Sequence, residues 1–188
     1  MAEKSTEKLP KVIRLRDLAW LLNDINSDLV AAVAVYQTIF RDIDDHQARR
    51  MYGETRLCLN AIIINLCRLI DATRVYGREI KENITEDVRG RLNAITRRLD
   101  DGNYYRYRSA YLAHPISRDT GRPLLLVEAK SALKIILGNE SESPRKMMDL
   151  YCDWIHKPGT DCVADTLYRC IREIESQTGP LGHRGEHT

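Results

Sequence analysis

From Leu18 to Ile43 the chain runs without a proline or glycine. Apolar residues return every three or four positions: Leu18, Leu21, Leu22, Ile25, Leu29, Ala32, Val33, Tyr36, Ile39, Phe40 and Ile43. That spacing puts one continuous stripe on one side of an α-helix, where a strand would need strict alternation. A single helix of this length resembles those of bundles and helix-mediated dimers, so whatever folds here must build around it. No other stretch alternates well enough to support a strand, and the chain is expected to be all-α.

A chain of 188 residues is long enough for one well-formed domain and short for two. Hydrophobic residues make up 43% and charged residues 30%, an ordinary globular balance that argues against global disorder. The 29 basic and 27 acidic residues leave a formal charge of +2. No global field therefore draws nucleic acid or membrane, and contact with RNA would need a local basic patch. Five cysteines, an odd number without any Cys-x-x-Cys pair, fit neither a disulfide framework nor a zinc knuckle, and free core thiols are expected. Met1–Pro10 is charged and lacks the apolar centre of a signal peptide, and no apolar run reaches the ~20 residues of a membrane span. The expectation is a cytoplasmic protein with no membrane partner.

The domain layout expected is a flexible tail over 1–13, a single helical domain over 14–175, and a disordered tail over 176–188. A second helix carries Leu59, Ile62, Ile63, Leu66, Leu69 and Ile70; its nearly all-apolar Ala61–Ile64 run predicts the most buried position in the bundle. It closes on Arg68-Leu69-Ile70-Asp71, with Arg74 just beyond; Arg68 and Asp71 are expected to pair or to cap a neighbour. After the turn at Tyr76-Gly77, Asn83 followed by Glu86 matches a capping box ahead of a helix with Val88, Leu92, Ile95 and Leu99 inside. Its Arg89, Arg91, Arg97 and Arg98 form a solvated face. Asp100-Asp101-Gly102-Asn103 is a turn. Beyond it, a helix over 125–137 stops at Gly138. Another opens at Ser143-Pro144 and carries Met147, Met148, Tyr151, Trp154 and Ile155, and a last one is capped by Asp161.

Most familiar chemistries lack their residues. His183 and His187 lie in the polar tail, His46 and His156 stand alone, and the Asp44-Asp45 and Asp100-Asp101 pairs occupy turn positions. There is no glycine-rich phosphate loop, nucleophile elbow or His-Glu-x-x-His. No metal site and no cofactor are expected.

One stretch concentrates reactive side chains: Tyr104-Tyr105-Arg106-Tyr107-Arg108-Ser109-Ala110-Tyr111-Leu112-Ala113-His114-Pro115. The helix should end at His114, because a residue before proline disfavours helical geometry. It can be a packing helix with tyrosine hydroxyls and arginines at the surface. It can also be a site. Arg108 and His114 suit phosphodiester chemistry, since a neutral imidazole near pH 7 takes or gives a proton. A guanidinium holds a phosphate bidentately and stabilises its transition-state charge. On an ideal helix six positions at ~100° leave the two roughly 120° apart. Convergence then requires either a distorted helix or two copies meeting across a dimer, which the small Ala110 and Ala113 would allow.

Arg108-Ser-Ala-Tyr-Leu-Ala-His114-Pro resembles the Arg-x4–6-His motif of the HEPN superfamily, nearest to its abortive-infection AbiU-like branch. The Arg68-Leu69-Ile70-Asp71 ending and the Tyr36–Phe40 aromatics are similar to that branch as well, and the likeness spans roughly 15–140. It implies an antiparallel helical bundle with additional helices over 141–175, forming a homodimer around a shared basic cleft. It further implies a metal-independent endoribonuclease, a toxin or phage-defence effector, in which the RNA 2′-hydroxyl attacks the neighbouring phosphate. Arg108 would clamp the phosphate and His114 would serve as general base or acid. Arg106, Tyr111 and Arg118 would contact RNA, and Ser109, Asp71 and Arg68 would support them. Many members follow the arginine with Asn, Asp or His, where Ser109 stands here. A cognate antitoxin or regulatory protein is a further implied partner. Inactive members serve as binding or dimerisation modules, so a catalytically silent RNA-, nucleotide- or protein-binding module is the alternative.

Overall fold

The computed structural model describes residues 10–40, 51–112 and 143–182, together with 43, 47, 133 and 135–138; of Tyr52, Ala110, Tyr111 and Pro144 it describes the backbone alone. Every element among the described residues is helical. They are α1 (Lys11–Phe40), α2 (Tyr52–Val75), α3 (Gly77–Asn83), α4 (Glu86–Asp101), α5 (Tyr104–Tyr107) with a π-helical turn at Arg108–Leu112, α6 (Pro144–Ile155) and α7 (Val163–Thr178).

The long apolar repeat does form one helix as far as Phe40, with Ile43 beyond its end, and α1 is the spine of the bundle. Leu15, Leu18, Ala19, Leu22, Ile25, Leu29, Ala32, Val33, Tyr36 and Phe40 are all buried. They pack chiefly against α2 and α7. By length and mean hydropathy α1 would also pass for a membrane span. Here, though, its stripe is spent inside the bundle, while Ser27 and Asp28 stand outside. A core leucine such as Leu22, fully buried, costs about 2–5 kcal/mol when cut to alanine.

Long-range contacts fix helix directions. Arg14 reaches Val75 and Arg68 reaches Asp28, so α1 and α2 run antiparallel. Arg16 donates to the Thr178 carbonyl at the far end of α7. Tyr36 donates to Asp149, and Arg145 of α6 binds the Phe40 and Ile43 carbonyls, closing the C-terminus of α1. This last contact satisfies carbonyls that a helix end leaves without intrahelical partners.

Several local expectations need correction. Helix α1 already begins at Lys11, so the tail does not extend to 13, and α7 continues to Thr178 rather than stopping before 176. Helix α2 is one-sided rather than buried all round, with Leu57 69% and Ile64 41% exposed. Asn83 is the last residue of α3, its side chain donating to the Glu79 carbonyl, and Thr85 holds the N-cap position of α4. No side chain caps α4 from within; instead Glu173 of α7 accepts from both the backbone N–H and the hydroxyl of Thr85. Cys162, not Asp161, caps α7, its Sγ accepting from the Asp165 N–H, while Asp161 pairs with Arg91. The Ser143-Pro144 start is as expected, with the serine hydroxyl accepting from Lys146. All five cysteines are buried and free. Most of the 125–137 helix lies outside the described residues; Leu133 and 135–137 are helical, ending at Gly138 with φ of 71°.

Candidate functional site: an arginine and tyrosine cluster around Asp71

The site helix starts at a tight corner. Gly102 and Asn103 join α4 to α5, with Asn103 left-handed at φ of 57°. A Cβ on Gly102 would fall 2.6 Å from Cε2 of Tyr104, so the close approach of that ring requires glycine. Tyr104 turns inward and is 1% exposed, where its hydroxyl accepts from Tyr151 of α6 at 3.0 Å. Arg98, just before the corner, lies 3.9 Å over the Trp154 ring. Thus α6 grips the start of the site helix by one buried hydrogen bond and the end of α4 by one cation–π contact.

With Tyr104 and Tyr107 inside, Tyr105 and Arg108 fall on the side facing the last turns of α2. The Tyr105 hydroxyl donates to one oxygen of Asp71, and Arg108 Nη1 donates to the other at 3.3 Å. Arg74, one turn beyond Asp71, lies 5.0 Å over the Tyr105 ring, and the Arg108 guanidinium lies 5.0 Å from the same ring. Arg74 also bonds Asp100 at 3.1 Å. Two guanidiniums, one ring and two carboxylates therefore share a patch of surface. Arg108 is 38% exposed and Asp71 52%, and exposed bridges of this kind contribute about 0–1 kcal/mol. The pair orients Arg108 more than it stabilises the fold, and its remaining donors can reach a ligand.

Burial, and then the bond to Asp71, push the Tyr105 hydroxyl up to about 12. Burial raises the Cys67 thiol to about 11, against the opposing pull of nearby Arg108. Neither group ionises near neutral pH, which leaves Cys67 an inert core residue.

At Arg108 the backbone leaves the α-helical pattern and widens into a π turn, a distortion that recurs at functional sites. The regular 100° step ends there. His114 and Arg118, and the Tyr111 side chain, lie outside the described residues. Arg106 and Ser109 are exposed. Arg68 does not pair with Asp71; it bonds Asp28 at 3.0 Å and Asn65 at 2.7 Å, on the α1 side of α2. Asp71 instead serves Arg108. Among the expected site residues the structure therefore brings together Arg108 and Asp71.

From the sequence, Asp100 reads only as a turn residue, and neither Tyr105 nor Arg74 is singled out for a site. Asp71 and Arg74, like Tyr105 and Arg108, are three apart and so share a helix face. That these two faces meet is a tertiary fact. Two arginines of α4 are likewise engaged rather than merely solvated: Arg89 donates to the Lys81 and Ile84 carbonyls, and Arg91 pairs with Asp87, Asp161 and Asp165. Among the described residues no group of three or more His, Cys, Asp or Glu is arranged to hold a metal ion.

No family model matches the chain, and no curated protein matches it. Among solved structures, an integron cassette protein from the mobile metagenome of V. paracholerae superposes with a TM-score of 0.63 at 18% identity. The match covers 93% of this chain and 99% of that one. At such identity the likeness is one of fold, and it extends over nearly the whole length of both chains.

Proposed function

We propose that the chain is a HEPN-type, metal-independent endoribonuclease acting as a homodimer, a toxin or phage-defence effector. Arg108 carries the proposal: its part-exposed guanidinium is oriented by Asp71 and Tyr105 at the onset of a π turn, six residues before His114. Arg108 would hold the scissile phosphate and the charge that builds on it. With His114 moving the proton, the RNA 2′-oxygen bonds to phosphorus as the 5′-oxygen leaves. The products are a 2′,3′-cyclic phosphate and a free 5′-hydroxyl. Purified protein should cut RNA in EDTA and leave DNA of the same sequence intact. Arg108→Ala and His114→Ala should each abolish cutting while keeping the wild-type melting temperature. Undiminished cutting by His114→Ala would refute the mechanism.

A second reading, a non-catalytic binding module, is favoured by charge balance. Arg68, Arg74 and Arg108 each face a carboxylate, in Asp28, Asp100 and Asp71. On that reading no RNA is cleaved and Arg108→Ala loses stability; a stable Arg108→Ala protein deficient only in cleavage excludes it.

A further inference from the structure

We infer that Arg74 is a second phosphate-binding residue, set beside Arg108 by their shared Tyr105 ring and held in reserve by Asp100. This rests on Arg108 contacting RNA. Both guanidinium carbons lie 5.0 Å from the centre of one ring, so they are no more than about 10 Å apart. The electron-rich face of an aromatic ring orients a guanidinium without consuming its N–H donors, leaving the planar fork available for an anion. The two arginines come from different helices, α2 and the π turn. A chain crossing the patch would meet them in succession, as adjacent phosphates of one strand would. An extended single strand suits this arrangement, because two neighbouring cations match successive phosphates of its backbone.

Asp100 is the resident competitor. It stands at the end of α4, 52% exposed, with Arg74 59% exposed opposite it. Solvent weakens this bridge, so a phosphate offering bidentate geometry can displace the carboxylate at little cost. Asp71 is held differently, with both oxygens engaged by Tyr105 and Arg108. Asp100 thus lowers the affinity of the patch while Asp71 shapes it. A purely structural Arg74–Asp100 bridge would make the opposite prediction for Asp100: removing it would weaken the protein and improve nothing.

The test uses a 2′-O-methylated single-stranded RNA oligonucleotide, which lacks the attacking hydroxyl and so reports binding without cleavage. Affinity is measured by fluorescence anisotropy across a salt series, with circular dichroism melts on each variant. Arg74→Ala should weaken binding about tenfold and flatten the slope of log affinity against log salt by about 0.7, the loss of one single-strand phosphate contact. Asp100→Asn should tighten binding severalfold. Arg108→Ala should also lose affinity and slope. Wild-type affinity and slope in Arg74→Ala, with Arg108→Ala impaired, overturn the assignment of Arg74 and leave Arg108 in place. Failure of both variants to change binding, or of the wild type to bind, overturns both. Weaker or unchanged binding by Asp100→Asn overturns the reserve role.

Discussion

The buried hydroxyl pair between Tyr104 and Tyr151 gives the sharpest energetic prediction. Each residue is 1% exposed and the two oxygens are 3.0 Å apart, with Tyr151 as donor. Removing either hydroxyl leaves the other inside the core without this partner, at a cost of about 1–3 kcal/mol. Removing both leaves two phenyl rings in nearly the same volume and should cost little more than one single change. Tyr104→Phe and Tyr151→Phe should therefore each lower the melting temperature by roughly 3–8 °C for a domain of this size. The double variant should show a coupling of about 1–2 kcal/mol in its favour. Urea unfolding followed by circular dichroism reads the midpoints, and an unchanged m-value confirms that the same surface is exposed. Strict additivity would refute the pair as an energetic unit. It would also remove the strut by which α6 steadies the helix carrying Tyr105 and Arg108.

Two further predictions follow from the same region and from the core thiols. Gly102→Ala places a methyl group against the fixed Tyr104 ring and should destabilise by about 1–3 kcal/mol, seen as a lower denaturation midpoint; no shift would mean that the ring yields freely. At alkaline pH, burial raises Cys67 to about 11 and Cys152, Cys170 and Tyr104 to about 12. These acids stay neutral in the fold but release protons in the unfolded chain above their ordinary values of 9 and 10. Their stabilisation is whole below about pH 9 and is lost as pH rises towards 12. Melting temperatures from pH 7 to 11 should be level and then fall, and a flat profile would contradict the burial of these groups.

How far the sequence could be read varied with the range of the interaction. The α1 stripe, the Ser143-Pro144 start and the break at Gly138 depend on neighbours within a turn, and they formed as expected. The Asn83-x-x-Glu86 pattern met every local rule for a capping box. It lost because Glu173, 88 residues from Thr85, supplies both acceptors. Asp161 looked like a cap by residue type, yet Arg91 claims it and the Cys162 sulfur takes the position. The short helix Gly77–Asn83 leaves little periodic signal because its apolar anchoring is slight; Arg14 of α1 holds it through Glu79.

The candidate site divides along the same line. Sequence by itself determined an all-α chain with a continuous apolar spine, and it singled out Arg108 and His114 as residues suited to phosphate chemistry. Periodicity and residue type are properties of a single helix. Only the tertiary structure decided that Asp71, Arg74 and Asp100 stand around Tyr105 and Arg108. That choice depends on how the end of α2 meets the corner after α4, where Gly102 admits the Tyr104 ring and α6 locks it. No spacing along the chain encodes such a meeting, because it is set by the packing of three helices against a fourth.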